Sequence, residues 1–393
     1  MISKKISHNL ANSSMIRAMF EEGEELRKIY GADKVYDFSL GNPDPEPPVE
    51  VKSALRELAG SGELKMHAYM NNAGYPEVRE TIAKKINSET GLNLSFNNVV
   101  MTVGAGGALN VVLKTLLNPG EEVIVFAPFF VEYTSYIDNH GGKTVVINTD
   151  FKTFLPDPEL LRTKITPNTK AIIINTPNNP TGVVYSRDTL NSIAKVLEDK
   201  SKEYGDTIYL ISDEPYRKLA YDAEVPNILT IYKNAIMIDC FSKSLSLPGE
   251  RMGYIATNPD AEDINTLMNG FIYCNRVLGF VNAPALFQKV IAKSINSTVD
   301  MNIYKERRDL LYNSLTEFGY ECVKPDGAFY LFPKSLIPDD VEFKNRALKY
   351  NLIIVPGSGF GTPGYFRLAY CVSLETIKNS LPAFEALAKE FRK

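Results

Sequence analysis

The sequence predicts an α/β fold: a large unit with a mostly parallel, seven-stranded sheet covered by helices, and a smaller α+β unit. Three observations predict it. The chain has 393 residues, more than one small core needs. Its middle alternates short runs rich in Ile and Val with amphipathic helical patterns, and after about Pro284 this pattern changes. Such alternation is typical of a parallel sheet with helices on its faces.

Seven candidate strands lie in the middle of the chain. Their apolar runs are bounded by Gly, Pro, Asn or Asp, which is typical of strands buried on both faces. They are Val99–Thr102, Glu122–Phe126, Lys143–Ile147, Lys170–Ile174, Thr207–Ser212, Ala235–Asp239 and Gly253–Thr257.

The helices between these strands carry recognisable start and stop signals. One begins near Pro76 and ends before Gly91. A second runs from Gly107 to Leu117, and a third follows Ser186, a suitable N-cap. The spacing of apolar residues along these segments predicts that each helix turns one face toward the sheet.

The last third of the chain predicts the smaller unit, and the N-terminal helix Ser14–Tyr30 is expected to pack with it. We therefore expect an N-terminal segment at 1–45, a large unit at 46–284 and a small unit at 285–393. The elements predicted near the C-terminus are helices at Met301–Phe318, Val341–Tyr350 and from Ser373, with strands at Ala328–Phe332, Leu352–Val355 and Tyr365–Tyr370.

Composition excludes several classes of protein. The net charge is −4, and no block of Lys and Arg gives the positive field that nucleic-acid binding needs. The cysteines form no C-x-x-C pair and the three histidines no cluster, so we expect no metal site, no disulfide framework and no Ser-His-Asp hydrolase. No signal-peptide pattern or membrane-length apolar run is present, which favours a cytoplasmic protein with reduced thiols.

Two loops of small and polar residues each follow a candidate strand, where ligands bind in parallel sheets. Thr102–Leu109 reads TVGAGGAL, and its backbone N–H groups can approach an anion at a helix N-terminus. A dinucleotide fingerprint needs Gly where Leu109 stands, so a tight structural turn is the alternative. In Asn175–Gly182, two prolines and a glycine fix a loop that can present Asn179 to a ligand, although such loops are more often structural.

A carboxylate follows a third strand, and a lysine follows a fourth. Asp213 ends a very apolar run, where an ionised carboxylate is costly unless it meets a cation, and Tyr216 can donate to an oxyanion. The alternative for Asp213 is a solvated strand end. Lys243 lies among small and apolar residues, where loss of hydration makes the amine a usable nucleophile or base. Arg251, eight residues later, offers a fork suited to phosphate.

Together these segments resemble the signature of class I/II aminotransferases, which are pyridoxal 5′-phosphate (PLP) enzymes of fold type I, related to aspartate aminotransferase. The resemblance extends over almost the whole chain, and the order and spacing of the motifs carry it. It includes Leu40–Asp44 (LGNPD), Tyr69 with Gly74–Arg79 (GYPEVR), Pro325–Tyr330 (PDGAFY), Val355–Ser358 (VPGS) and Arg367.

The resemblance implies a role for each matching residue. Lys243 would carry PLP covalently as a Schiff base, Asp213 would pair with the pyridine nitrogen, and Tyr216 and Asn179 would hydrogen-bond the ring oxygen. Arg367 would clamp the substrate α-carboxylate, with Gly41 and Asn179 as further substrate contacts. The other implied cofactor contacts are Ala105, Gly106, Ser242 and Arg251 at the phosphate, Phe130 stacked on the ring, and Tyr69 reaching the phosphate of a neighbouring subunit in a homodimer.

One position departs from the family pattern. Cys240 stands three residues before the lysine, where many members have a serine that helps to bind the phosphate. Ser242 or a water molecule is a candidate replacement for that hydroxyl. The departure concerns the phosphate contacts and not the choice of cofactor.

The resemblance implies transfer of an amino group from an L-amino acid to a 2-oxo acid by a ping-pong mechanism. A carbon–sulfur β-lyase of the same fold shares every motif and is the main alternative. A PLP-sensing transcription regulator would need a basic helix-turn-helix, for which no residues are left over, and the failed glycine fingerprint argues against a nucleotide-binding module. The amino donor stays open between acidic and aromatic amino acids.

Overall fold

The computed structural model describes residues 2–11 and 15–391, and this part of the chain forms twelve strands and fourteen α-helices. The strands are β1 (Tyr36–Asp37), β2 (Val99–Val103), β3 (Glu122–Ala127), β4 (Lys143–Asn148), β5 (Thr169–Asn175), β6 (Tyr209–Asp213), β7 (Ala235–Cys240), β8 (Met252–Thr257), β9 (Tyr330–Leu331), β10 (Leu352–Ile353), β11 (Val355–Pro356) and β12 (Phe366–Ala369). The helices are α1 (Lys4–Ala11), α2 (Met15–Tyr30), α3 (Val49–Gly60), α4 (Pro76–Thr90), α5 (Gly104–Leu116), α6 (Glu132–Asn139), α7 (Pro158–Lys164), α8 (Arg187–Tyr204), α9 (Phe241–Ser244), α10 (Ile264–Val277), α11 (Ala285–Ser294), α12 (Met301–Glu317), α13 (Asp340–Leu348) and α14 (Leu374–Phe391).

The seven predicted central strands form one sheet in the order β2-β8-β7-β6-β5-β3-β4. All neighbours are parallel except β8, which runs antiparallel to both β2 and β7. An antiparallel neighbour needs no crossover helix, so the chain passes from Cys240 to Met252 through a short connection. Lys243 lies in this connection, and Arg251 immediately precedes β8 at the same edge of the sheet.

The sheet is apolar on both faces because helices cover both of them. Every residue of β7 and β8 is buried, as expected for a strand between two helical layers. Helix α5 packs against β2, β7 and β8, and α10 packs on α5. The fold class predicted from the alternation of strands and helices is confirmed.

Residues near the two ends of the chain meet in a second group of strands. Strand β1 pairs in parallel with β10, with Tyr36 opposite Leu352 and Asp37 opposite Ile353. Strands β11, β12 and β9 form a small antiparallel sheet next to helices α12, α13 and α14. Phe38 and Phe384 are both fully buried in this second core, with ring centroids 5.7 Å apart. The N-terminal segment therefore packs with the C-terminal part.

Some elements differ from the sequence-based expectation. The N-terminal helix begins at Met15, and Ser14 lies outside the described residues. Helix α1 was not predicted. Helix α11 follows the predicted boundary at 284/285 but packs against α3 and α4, which precede it in the sequence. The position of this boundary stays a prediction. No helix among the described residues is long and apolar enough to span a membrane.

Candidate active site

One cavity of about 280 Å³ lies at the carboxyl ends of the parallel strands. Segments that follow β2, β3, β5, β6 and β7 line it, and the loop after β1 and strands β9 and β12 close it. Residues far apart in the sequence therefore share one site. Its lining residues are Leu40, Gly41, Ala105, Gly106, Leu109, Phe130, Tyr136, Asn175, Asn179, Asp213, Pro215, Tyr216, Cys240, Ser242, Lys243, Pro248, Arg251, Tyr330 and Arg367.

Lys243 reaches the cavity from the short helix α9, directly after β7. Its Nζ donates a hydrogen bond of 2.7 Å to the backbone oxygen of Gly41 and lies 5.5 Å from the centroid of the Phe329 ring. Burial lowers the pKa of this amine, and the charges of Arg251 and Arg367 act in the same direction. A neutral amine, which can act as a nucleophile or accept a proton, is thus easier to form here than in water.

Asp213 is the last residue of β6, and its carboxylate is buried. The hydroxyl of Tyr133 donates a 2.6 Å hydrogen bond to Oδ2, whereas Oδ1 is buried without a hydrogen-bond partner among the described residues. Burial raises the pKa of Asp213 to about 7, partly offset by the Tyr133 hydrogen bond. A buried carboxylate with one unpaired oxygen suits a cationic N–H group in the cavity.

An anion site is formed where the N-terminus of α5 meets Arg251. Gly104 opens this helix with φ of 71°, and a Cβ atom there would come within 2.7 Å of Nη2 of Arg251. The missing side chain therefore lets the guanidinium lie close to the helix N-terminus. Backbone N–H groups at Ala105 and Gly106 add a partial positive charge. Ser242 and the thiol of Cys240 also line the cavity here.

Arg367, on β12, presents a second guanidinium to the cavity. Nη1 donates a 3.1 Å hydrogen bond to Oδ1 of Asn179, and Nη2 donates to the backbone oxygen of Ser39. Its Cζ lies 4.7 Å above the Tyr330 ring and 4.9 Å above the Phe360 ring. Its Nε is buried with no partner among the described residues. A carboxylate on a ligand would pair with this fork.

Asn175, at the end of β5, hydrogen-bonds the backbone of both Asp213 and Asn179. Its side-chain amide donates to the backbone oxygen of Asp213 at 2.7 Å, and its Oδ1 accepts from the backbone N–H of Asn179 at 2.6 Å. Because Oδ1 of Asn179 accepts from Arg367, the Nδ2 group of Asn179 remains a donor toward the cavity.

Two tyrosines close the cavity between the large sheet and the small one. The hydroxyls of Tyr216 and Tyr330 lie 2.9 Å apart, and their rings meet edge to face. Gly41 faces Tyr330 so closely that a Cβ atom at Gly41 would overlap the phenol. The phenol therefore occupies the space that the glycine leaves open.

The structure places all but one of the residues predicted for the site around this cavity. Tyr69 lies elsewhere: it is 90 % exposed and borders a separate surface depression beside Asn282 and Pro284. This exposure suits a residue that acts on a neighbouring subunit, and that role stays a prediction. The roles of the lining residues likewise remain predictions.

Three tyrosines at or behind the cavity were not singled out from the sequence. Tyr136 and Tyr330 line it, and Tyr133 lies behind Asp213. Tyr133 and Tyr136 lie three residues apart on α6, as residues on one face of a helix do. This spacing would have pointed to the site only after Phe130, just before the helix, had been assigned to the cavity. Tyr330 lies in the PDGAFY segment, but its partner Tyr216 is 114 residues away, and such a contact is not readable from local pattern.

The residues present fit PLP. Oδ1 of Asp213, which has no partner among the described residues, suits the ring N–H. The amine of Lys243, held by the Gly41 oxygen, suits an aldehyde, and the α5 N-terminus with Arg251 suits a phosphate. A parallel sheet that brings this set together at its strand ends defines a PLP-dependent enzyme. The chain belongs to the aminotransferase class I and II family, whose model matches residues 33–384. It is a PLP-dependent aminotransferase, an enzyme that moves an amino group from an amino acid to a 2-oxo acid by a ping-pong mechanism.

Relatives and solved structures agree with this assignment. The chain is 34 % identical to an aspartate aminotransferase of Thermotoga maritima, over 98 % of both chains. It is also 34 % identical to an aspartate/prephenate aminotransferase of Thermus thermophilus, over 92 % of both. A crystal structure of an amino transferase from Eubacterium rectale matches with a TM-score of 0.97 and 40 % identity over the full length of both chains. These names favour transamination over β-elimination by a carbon–sulfur lyase.

Proposed function

We propose that Lys243, Asp213, Arg251 and Arg367 carry out the transamination, and that the amino donor is aspartate. The observation that supports this most strongly is the convergence of these four side chains, from three separate segments of the chain, on one cavity. The roles below rest on the contacts of each residue.

Lys243 is proposed to attach the cofactor and then to move a proton. When bound, PLP supplies an aldehyde for the amine and a cationic ring that takes up the electron pair left at the substrate Cα. Burial lowers the pKa of the Lys243 amine, so the released amine can accept a proton from Cα. The hydrogen bond from Nζ to the Gly41 oxygen holds the amine at this end of the cavity.

Asp213 is proposed to keep the ring nitrogen protonated. Its Oδ1 has no partner among the described residues, and a buried carboxylate gains most from a cationic donor. Tyr216 and the free amide donor of Asn179, which both line the cavity, are proposed to hydrogen-bond a ring oxygen, and Phe130 is proposed to stack on the ring.

The phosphate is proposed to bind between Arg251 and the first turn of α5. Ala105, Gly106 and Ser242 supply the neutral donors in this corner of the cavity. Cys240 stands where the family pattern often has a serine, and burial raises the pKa of its thiol, so the thiol stays neutral beside the phosphate.

Arg367 is proposed to hold the substrate α-carboxylate, with Gly41 and Asn179 beside it. A bidentate contact keeps the carboxylate near the plane of the ring. The Cα–H bond is then better aligned for cleavage than the bond to the carboxylate, which favours proton loss over decarboxylation.

Aspartate is proposed as donor because two of the most similar curated relatives are named for it. The test is a screen of amino donors with 2-oxoglutarate or pyruvate as acceptor. Turnover of aspartate is the expected result. Turnover of aromatic amino acids alone would contradict the donor, and release of pyruvate and ammonia from a cysteine-type substrate without an acceptor would contradict transamination.

We further propose a homodimer in a reducing, cytoplasmic compartment. Large apolar side chains that a monomer would leave in water include Leu64 at 89 %, Tyr69 at 90 % and Tyr273 at 65 % exposure. Tyr69 would then reach the phosphate site of the partner subunit. All four cysteines are unpaired, as expected in a reducing compartment. Sedimentation equilibrium tests the dimer; a protein that stays monomeric when loaded with cofactor would contradict it.

Attachment of the cofactor is tested directly. Purified protein supplied with PLP is expected to turn yellow, and borohydride is expected to fix the mass of the cofactor to the peptide containing Lys243. The exposed Lys195, on α8, is the matched control for substitution by alanine. A colourless protein, or cofactor mass on another peptide, would contradict the proposed role of Lys243.

A further inference from the structure

Asp213 has its two carboxylate oxygens in different surroundings. Oδ2 accepts the 2.6 Å hydrogen bond from Tyr133, and Oδ1 is buried without a partner among the described residues. Tyr133 does not line the cavity, so a bound molecule meets Asp213 and not the phenol behind it. The two oxygens are therefore not equivalent: Oδ2 is held by the phenol, and Oδ1 has no partner among the described residues.

We infer that Tyr133 is a positioning residue: it holds Oδ2 of Asp213 so that Oδ1 is the atom presented to the cofactor ring. The inference rests on the role proposed for Asp213. A carboxylate on a flexible χ2 torsion can offer either oxygen to a ring N–H, and a short bond to a buried phenol fixes that torsion.

The phenol is a permanent donor. Burial, and then the charge of Asp213, raise the pKa of Tyr133 well above its ordinary value, so the hydroxyl keeps its proton throughout the working pH range of the enzyme. Tyr133 itself is 1 % exposed and held from two sides. Its backbone N–H bonds the Phe130 oxygen at 3.1 Å, and its ring meets that of Phe130 edge to face at 5.6 Å.

The residues at the start of helix α6 thus affect two contacts of the cofactor ring, one with Phe130 and one with Asp213. Phe130 lines the cavity, and Tyr133, three residues later, orients the carboxylate at the cavity wall. A second consequence concerns charge. The Tyr133 hydrogen bond lowers the proton affinity of Asp213, and nearby carboxylates raise it. The titratable groups that act on or face Asp213 are Tyr133 and Tyr136 from α6, Glu214 and Tyr216 from its own segment, and Asp239 from β7.

The test uses the loaded enzyme with Tyr133→Phe, which removes one hydroxyl. We expect kcat to fall about tenfold, as for the loss of a hydrogen bond to a charged group. The KM of the amino donor is expected to change less than twofold, because Tyr133 touches no substrate. The variant should also lose cofactor about tenfold faster on dialysis, followed by the yellow absorbance, which is a readout independent of turnover.

Tyr232→Phe is the matched control. The Tyr232 hydroxyl is also buried and donates at 2.8 Å to the backbone oxygen of Ile208, far from the cavity. This control is expected to lower the melting temperature but to leave kcat and cofactor retention unchanged. Equal loss of kcat in both variants would mean a general effect on stability and would overturn the inference.

A double-mutant cycle shows whether Tyr133 acts through Asp213. In an Asp213→Asn background, Tyr133→Phe is expected to have almost no further effect on kcat or on cofactor retention, because the partner charge is gone. Additive losses would overturn the inference. If the wild type binds cofactor and is active, and Tyr133→Phe behaves like the wild type, the inference is overturned and the proposed function stands. If the wild type binds no cofactor, the inference and the proposed function are both overturned.

A further readout needs no change at Tyr133. The proton of a short bond between a phenol and a carboxylate is strongly deshielded. Wild-type protein stripped of cofactor, which has no ring N–H at Asp213, is therefore expected to show a low-field proton NMR signal that disappears in Asp213→Asn. A signal that persists in Asp213→Asn, or none in the wild type, would contradict the inference even if Tyr133→Phe cannot be purified.

Discussion

The backbone oxygen of Gly41 accepts a 2.7 Å hydrogen bond from Nζ of Lys243, across 202 residues of sequence. The N-terminal segment thereby touches the amine proposed to carry the cofactor. Gly41 in turn lies against Tyr330, whose ring supports Arg367. Lys243, Gly41, Tyr330 and Arg367 thus form a chain of contacts between the amine and the carboxylate-binding arginine, and the predictions below test its members.

Replacement of Lys243 by alanine is expected to lower kcat about 10³-fold, because a positioned base that moves a proton contributes 10²- to 10⁴-fold. Cofactor should still bind, held by Arg251 and Asp213, but without covalent attachment. The measurements are steady-state kinetics and the mass of the protein after borohydride treatment. Lys195→Ala should behave as wild type; a Lys243→Ala enzyme with normal turnover would show that another group moves the proton.

Replacement of Arg367 by alanine is expected to lower kcat/KM for the amino acid about 100-fold, through the loss of a buried charge partner. Arg367→Lys should recover little, because an ammonium lacks the planar fork. The measurement is kcat/KM for the amino acid and, separately, the reaction rate with a primary amine that has no carboxylate.

The amine without a carboxylate supplies the internal control, since its rate should not depend on Arg367. Arg79→Lys is the matched variant: Arg79 is buried and bonds the Phe96 oxygen at 3.0 Å, away from the cavity. It should affect the melting temperature and not KM. Unchanged kcat/KM in Arg367→Ala would disprove the carboxylate contact.

Asp213→Asn is expected to change the pH dependence of stability in protein stripped of cofactor. The folded-state pKa of Asp213 is raised to about 7 from an ordinary 3.8, so the folded chain binds this proton more tightly than the unfolded chain. The contribution of Asp213 to the free energy of unfolding is therefore highest below about pH 4, and it declines as the pH rises toward 7. Asparagine removes the decline, so the variant should be the more stable protein at pH 8, by about 1–3 kcal/mol.

The sign of this difference should reverse when the cofactor is bound, because the wild-type carboxylate then has a cationic partner and the asparagine has none. Chemical denaturation at pH 5 and pH 8, with and without PLP, measures both differences. A variant that is less stable than wild type at pH 8 in both states would contradict the electrostatic role of Asp213.

Gly41→Ala is expected to displace Tyr330 and lower kcat/KM about tenfold, since overpacking of a filled site typically costs about 1–3 kcal/mol. The added Cβ atom would overlap the phenol of Tyr330. Gly60→Ala is the matched control, because a Cβ there would meet nothing within 4 Å. Kinetics and melting temperature are measured for both; equal activity would show that Tyr330 moves aside without consequence.

The sequence was sufficient to predict the seven central strands, because each is a short apolar run with clear ends. It did not reveal that β8 runs antiparallel to both of its neighbours, since Met252–Thr257 is as buried as the other central strands of the sheet. Motif residues at strand ends, such as Asp213 and Lys243, were found because a polar group beside an apolar strand is conspicuous. Tyr133 was not, because an aromatic residue on a short helix has many uses and its partner is 80 residues away.

The pairing of β1 with β10 has a consequence for synthesis. Residues 36 and 37 receive their strand partners from residues 352 and 353, so the ribosome must have made the chain as far as residue 353 before this contact can form. The large sheet can form earlier, because the last of its strands in the sequence ends at Thr257. A nascent chain could therefore hold a folded sheet with Lys243 in place before Gly41 has its contact with Tyr330, and catalytic competence should appear only after the later strands have been made.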